Sequence, residues 1–179
     1  PMARTLRVGD VHFGIDKIGH FFGFGRRGFK GYLKLRERGL GEEEALEKII
    51  PHWLFMERYF VGNLTDGIYS YGDIEANFQG LMMARAFCEG DDPYFKRVDG
   101  KWILSRSIDI APFITPDFDE TYNLSHFSGL RKKHVFKVLR RDYCDKFALP
   151  IVQERFRRYD AVPQSFSQDV IDRYYAKRR

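Results

Sequence analysis

The chain has 179 residues, 44% of them apolar and 16% aromatic, with a net charge of +5. Length and aromatic load together call for one folded domain spanning 1–179 and exclude a disordered chain. No run of about 18 apolar residues occurs, so no membrane-spanning helix is expected. Charge is uneven: residues 1–89 balance, 90–130 carry four basic against seven acidic groups, and 131–179 carry fourteen against six. A basic C-terminal region suits an anionic surface, whether nucleic acid, a lipid bilayer or a cell-wall polymer, or simply a solvated helix face. Cys88 and Cys144 stand outside any CxxC pattern, which argues against a thiolate zinc site and leaves open one disulfide or two separate thiols.

In chain order, Asp16 to Arg38 alternates apolar and basic residues at helical spacing. Gly19, Gly23, Gly25, Gly28 and Gly31 interrupt it. Such a glycine series weakens a helix, or lets a second backbone or a ligand approach closely. Gly41-Glu42-Glu43-Glu44 opens a stronger helix, with its acids favoured at the N-terminus by the macrodipole. Pro51 is expected to kink or restart it. Asp66-Gly67 is a turn signal, and the alternation around it predicts a short hairpin. Asp73 reads as the N-cap of a helix over IEANFQGLMMARAFC that stops at Glu89-Gly90. From Asp91 to Pro116 a loop with short extended pieces (KWIL, IDIAPFI) is expected. Helices follow near 125–148, 151–159 and 167–177. The fold class is therefore mainly α (α+β).

The most informative stretch runs from Trp53 to Asn77. It sets Glu57 among Trp53, Phe55, Met56 and Phe60. A carboxyl in apolar surroundings keeps its proton to higher pH, as a general acid near neutrality requires. Facing water, Glu57 would instead be a helix-end glutamate paired with a base such as Arg58. Asp16 and His20 lie four apart on one helix face, where a carboxylate can orient an imidazole or join it in a metal site with Glu57 and Asp73. Trp102, Phe113, Phe118, Asp119, Glu120 and Tyr122 form an aromatic and acidic segment suited to a carbohydrate groove or to anchoring a loop. GFGRRG lacks the context of a dinucleotide fingerprint, and no GxSxG accompanies the histidines.

From Glu57 onward the order of residues resembles the catalytic region of animal-type lysozymes. There an acid glutamate ends a helix, and a hairpin follows with Thr-Asp-Gly, Tyr-Gly and an Asn. The matching signs here are Thr65-Asp66-Gly67, Tyr71-Gly72 and Asn77, covering about twenty residues. Where the two-carboxylate pattern has its second acid, this chain has Ser70. Retention calls for carboxylates about 5 Å apart and inversion for roughly 6.5–9.5 Å, roles open to Asp66 or Asp73 only if the hairpin is placed differently. Goose-type lysozymes and lytic transglycosylases work around a single glutamate, and this sequence looks closer to them. The resemblance implies a lysozyme-like helical domain with a small β-hairpin. It also implies peptidoglycan glycan strands as substrate, acetylated or deacetylated. Glu57, Tyr69 and Tyr71 would be catalytic, and Ser70, Asp66, Asp73, Asn77 and Trp102 substrate-binding. No metal or organic cofactor is needed for that chemistry.

DKIGHFF together with GDIEANFQG also looks like uncharacterised bacterial envelope proteins, which share Asp-Lys-x-x-His and Asp-x-x-Ala-Asn-x-x-Gly segments. That implies a periplasmic or secreted location, with the secretion signal not part of this sequence. Two alternatives stay open. One is a non-catalytic or metal-binding envelope protein built around Asp16, His20, Glu57 and Asp73. The other is a basic nucleic-acid-binding module, for which no named motif is visible.

Overall fold

The computed structural model describes residues 4–61 and 67–177. The chain is mainly helical with small two-stranded antiparallel sheets. Strands β1 (Thr5–Val8) and β2 (Val11–Gly14) form a hairpin closed at Gly9, whose φ of +57° a glycine adopts without strain. Helix α1 (Asp16–Gly19) passes through a π-helical turn over His20–Phe24 into α2 (Gly25–Glu37). Helix α3 (Glu42–Met56) follows, and it too ends in a π turn, Glu57–Val61. Pro51 neither ends nor restarts α3, which runs through it.

Strand β3 (Ile68–Tyr69) leads into α4 (Tyr71–Ala86). Nine residues of α4 between Gly72 and Met83 are buried, so its apolar surface runs nearly all round, as befits a central helix. On one side Ile74, Phe78 and Leu81 join Tyr32, Ile50, Trp53 and Ile171. On the other, Ala76 and Met83 join Phe13, Phe21, Phe118 and Tyr159. The glycine series serves close approach: a Cβ on Gly25 would lie 2.6 Å from the Gly80 Cα, and one on Gly80 would collide with the Phe21 carbonyl. Gly80→Ala is therefore expected to cost about 3 kcal/mol by forcing two backbones apart. Urea denaturation measures this, and a variant as stable as wild type would refute the contact.

Strands β4 (Phe95–Val98) and β5 (Lys101–Leu104) form a second hairpin through Asp99-Gly100, both at positive φ (50° and 79°). That is the Asp-Gly pairing a type I′ turn favours. A short strand β6 (His126–Phe127) precedes α5 (Gly129–Asp142), α6 (Cys144–Phe147), α7 (Pro150–Asp160) and α8 (Phe166–Ala176). The IDIAPFI segment carries a 3₁₀ turn at Ala111–Phe113 rather than a strand. The first half of the hairpin expected around Asp66-Gly67 lies outside the described residues, and its second half pairs elsewhere. Ile68 and Tyr69 pair with Phe127 and His126, and Tyr71 already begins a helix. Thr65 and Asp66 lie outside the described residues.

Beneath α8, the fully buried Glu75 carboxylate accepts from Gln79 Nε2 (2.8 Å), Thr115 Oγ1 (2.8 Å) and Ser165 Oγ (2.7 Å), and from Ser167 Oγ. A buried carboxyl group is tolerated when its polar atoms are met in this way, and here it ties α8 to the central helix.

Candidate active site

A cleft of about 510 Å³ opens where α1, the end of α3, the start of α4 and the 120–127 segment meet. Its polar side carries Asp16, His20, Glu57, Ser70, Asp73 and Glu120. Asp16 and His20 share a helix face as their spacing requires, and Lys17 between them turns inward. His20 and Glu57 each open one of the two π turns, a distortion often found at functional sites.

Lys17 is the centre of the charge arrangement. It is 0% exposed, and its ammonium meets Asp16 Oδ2 at 2.7 Å, Asp73 Oδ1 at 2.7 Å and Glu120 Oε1 at 3.2 Å. Burial alone would lower its pKa, but the carboxylates of Asp73, Glu120 and Asp16 raise it above the ordinary lysine value. In return, and against the effect of burial, the ammonium holds Asp16 below the usual aspartate range. Asp73 behaves otherwise: desolvation raises it, with Lys17 and His20 pulling the other way.

Ser70, not Asp73, caps α4. Its Oγ accepts from the Asp73 N–H at 3.1 Å and donates to Glu120 Oε1 at 2.6 Å. A serine cap accepts from the N–H three residues on, so Asp73 is placed one turn inside the helix with its carboxylate free to meet Lys17. The Ser70 N–H donates to Glu57 Oε1 at 3.2 Å. His20 Nε2 lies 3.4 Å from Asp73 Oδ2, while Nδ1 sits 3.1 Å from Asn77 Oδ1. Asn77 Oδ1 can only accept, so the hydrogen of this contact sits on Nδ1, which fixes the ring's orientation and keeps Nε2 toward Asp73. Asp119 accepts from the Thr121 N–H (3.0 Å) and Oγ1 (2.6 Å) and from the Tyr159 hydroxyl (3.3 Å), fixing the turn that presents Glu120.

Glu57 is 6% exposed. Burial first, then the negative charge of Asp73, pushes its carboxyl up to about 7, against the Ser70 N–H and Lys17. The cleft thus holds one acid poised to give up a proton near neutrality beside carboxylates gathered on a buried ammonium.

Of the residues singled out from the sequence, Asp16, His20, Glu57, Ser70 and Asp73 line this cleft together, and Asn77 stands behind His20. Tyr69 and Tyr71 do not line it. Tyr69 is 5% exposed, accepts a 2.9 Å hydrogen bond from the Tyr175 hydroxyl of α8, and packs edge-on against Tyr71. A two-residue strand followed, after the Ser70 cap, by a helix turns Tyr69 into the core and packs Tyr71 against it. Tyr69→Phe is therefore expected to lower stability by about 1 kcal/mol and to leave the cleft's carboxylates untouched, which thermal unfolding and an activity assay would check. Trp102 stands 62% exposed on β5 and is not a cleft residue.

The acids converge on Lys17, whose ammonium already supplies a cation among them. Among the described residues no group of three or more His, Cys, Asp or Glu is arranged to hold a metal ion. Sequence reasoning passed over Lys17 itself, although it stands inside DKIGH. It also missed the far wall, made by Ile68, Leu124, Phe127, Leu139, Tyr143 and Phe147. No family model, no curated protein and no solved structure matches the chain.

Proposed function

We propose that the cleft is the active site of a glycosidase acting on a bacterial envelope glycan, peptidoglycan first among them, in the periplasm or outside the cell. The observation that carries this reading is Glu57, a buried carboxyl facing a cleft and pushed up to about 7. Glu57 would donate its proton to the glycosidic oxygen as the C–O bond breaks. Asp73, paired with Lys17 and faced by His20, supplies the negative charge that steadies the oxocarbenium-like ring. In hydrolysis, water adds to that ring and returns a proton to Glu57. In the transglycosylase variant, a hydroxyl of the same sugar closes the ring and returns the proton instead. The excess of carboxylates over Lys17 favours sugars carrying free amines, so deacetylated wall is the better substrate of the two.

Purified peptidoglycan, acetylated and deacetylated, is digested with wild type and Glu57→Gln and the products are read by mass spectrometry. Reducing ends mean hydrolysis and anhydro-sugars mean transglycosylation. Equal product from both proteins removes Glu57 from the chemistry. One observation favours a second reading, a non-catalytic envelope protein: a fully buried lysine held by three acids is also how an ion network fixes a fold. Under that reading no wall preparation is cut.

A further inference from the structure

The wall facing the carboxylates is not what a free sugar strand needs. Ile68, Leu124, Phe127, Leu139, Tyr143 and Phe147 make it apolar along its length. At its rim Leu124 is 64% exposed and Tyr143 48%. Sugar hydroxyls gain little from aliphatic walls, whereas a hydrocarbon chain gains about fourfold in affinity for each methylene taken out of water.

The helix that supplies part of this wall has a second face. α5 presents Lys132, Lys133, Lys137, Arg140 and Arg141 around an exposed Phe136. Of these five, among the described residues only Arg141 meets an acid, Asp142. Exposed Leu149 and Ile151 follow directly after α6. Basic side chains interspersed with exposed aromatic and aliphatic ones are what a helix resting in the surface of an anionic bilayer presents. Nucleic acid would match the charge but would leave Phe136, Leu149 and Ile151 without a partner.

We propose that the substrate is a saccharide carried on a long hydrocarbon chain and taken from an anionic bilayer on which the α5–α6 surface rests. Its chain lies along the apolar wall and its glycosidic bond lies at Glu57. This rests on the glycosidase reading for the chemistry, while the binding it requires is measured without any cleavage.

Two binding measurements test it. In the first, the protein is sedimented with phosphatidylcholine vesicles with and without phosphatidylglycerol. Binding is expected only with phosphatidylglycerol and is expected to fall with salt. The variant Lys132→Gln/Lys133→Gln/Lys137→Gln/Arg140→Gln should lose about a hundredfold or more, since each basic residue at such a surface is worth about fivefold. In the second, a dodecyl glycoside below its micelle concentration is compared with the methyl glycoside of the same sugar. The dodecyl compound should bind about a hundredfold more tightly, the gain from taking three to four of its methylenes out of water along the wall. Leu124→Asp and Tyr143→Asp, at exposed positions that spare the fold, should remove that advantage. Indifference to phosphatidylglycerol, equal binding of the two glycosides, or tight binding to duplex DNA in place of vesicles overturns the proposal. If both measurements succeed while Glu57→Gln cuts wall like wild type, the glycosidase reading alone falls. If both fail while Glu57 remains essential, the chain-borne substrate alone falls.

Discussion

Glu57→Gln is expected to slow turnover by about two to four orders of magnitude, the usual contribution of a positioned general acid, and yet to make the folded protein more stable above pH 7. Both effects come from one environment. The side chain is 6% exposed, and its carboxyl is pushed from 4.5 to about 7 by burial and by Asp73. Below pH 4.5 the folded and unfolded chains both hold this proton, and burial costs nothing in charge. Between 4.5 and about 7 the unfolded chain releases it while the folded one keeps it, so stability drops as pH rises. Above that window the folded state carries a desolvated charge. At 1.36 kcal/mol per pKa unit the full cost would be roughly 3 kcal/mol, and water entering the cleft reduces it to about 1–2 kcal/mol. Glutamine keeps the oxygen that accepts from the Ser70 N–H and carries no charge, so it escapes that cost. Urea denaturation at pH 5 and pH 8 should show the variant gaining only at the higher pH. Wild-type activity should decline as pH climbs through about 7, where Glu57 loses the proton it must donate. A variant less stable than wild type at pH 8 would mean that the carboxylate is welcome in its site and is no acid.

Most helices were legible because their signals are local: the acidic first turn at Glu42–Glu44, the segment 74–86 and the helices expected near 151–159 and 167–177 appear where their sequences place them, whereas the single helix expected near 125–148 starts instead as the strand His126–Phe127 and divides into Gly129–Asp142 and Cys144–Phe147. The sheet pairings were not. Asp-Gly occurs at 66–67 and at 99–100. The second closes a hairpin, between Phe95–Val98 and Lys101–Leu104. Beyond Gly67, Ser70 and Asp73 offer helix-capping chemistry after only two strand residues, and the strand finds His126–Phe127 instead. Pairing across fifty-seven residues leaves no local mark. The site was half visible for the same reason. Asp16, His20, Glu57 and Asp73 carried chemistry on their faces and do share a cleft. Lys17 carried no mark of its place, because nothing local says that Asp73 and Glu120 will close over it. Tyr69 and Tyr71 carried polar handles that suggested catalysis, and the two-residue strand spends them on Tyr175 and the core.

Lys17→Met is expected to be the most destabilising single change in the cleft, at about 3 kcal/mol near neutral pH, because it strands the largely buried Asp73, and with it the more exposed Asp16 and Glu120, without their counter-charge. Asp16 and Asp73 would each lose a 2.7 Å partner and Glu120 one at 3.2 Å. Lysine's own titration does not shape this loss. Its folded pKa lies above the ordinary 10.5, so its contribution is complete at neutral pH and fades only as pH rises through strongly alkaline values. The pH dependence of the deficit comes from the acids instead. As pH falls, Asp73, already raised by desolvation and now without the Lys17 ammonium that pulls it down, takes up a proton more readily than in wild type, and the deficit should shrink. Adding Asp73→Asn to Lys17→Met should recover part of the stability at pH 7, a coupling that a double-mutant cycle reads directly. Lys17 also draws the Glu57 pKa down, so in any Lys17→Met protein that still folds the alkaline limb of activity should move to higher pH. A deficit independent of pH, no rescue by Asp73→Asn and an unmoved activity limb would together make Lys17 a packing residue. The opposite pattern makes it the charge that favours the ionised form of Asp73 while Glu57, in the same cleft, keeps its proton.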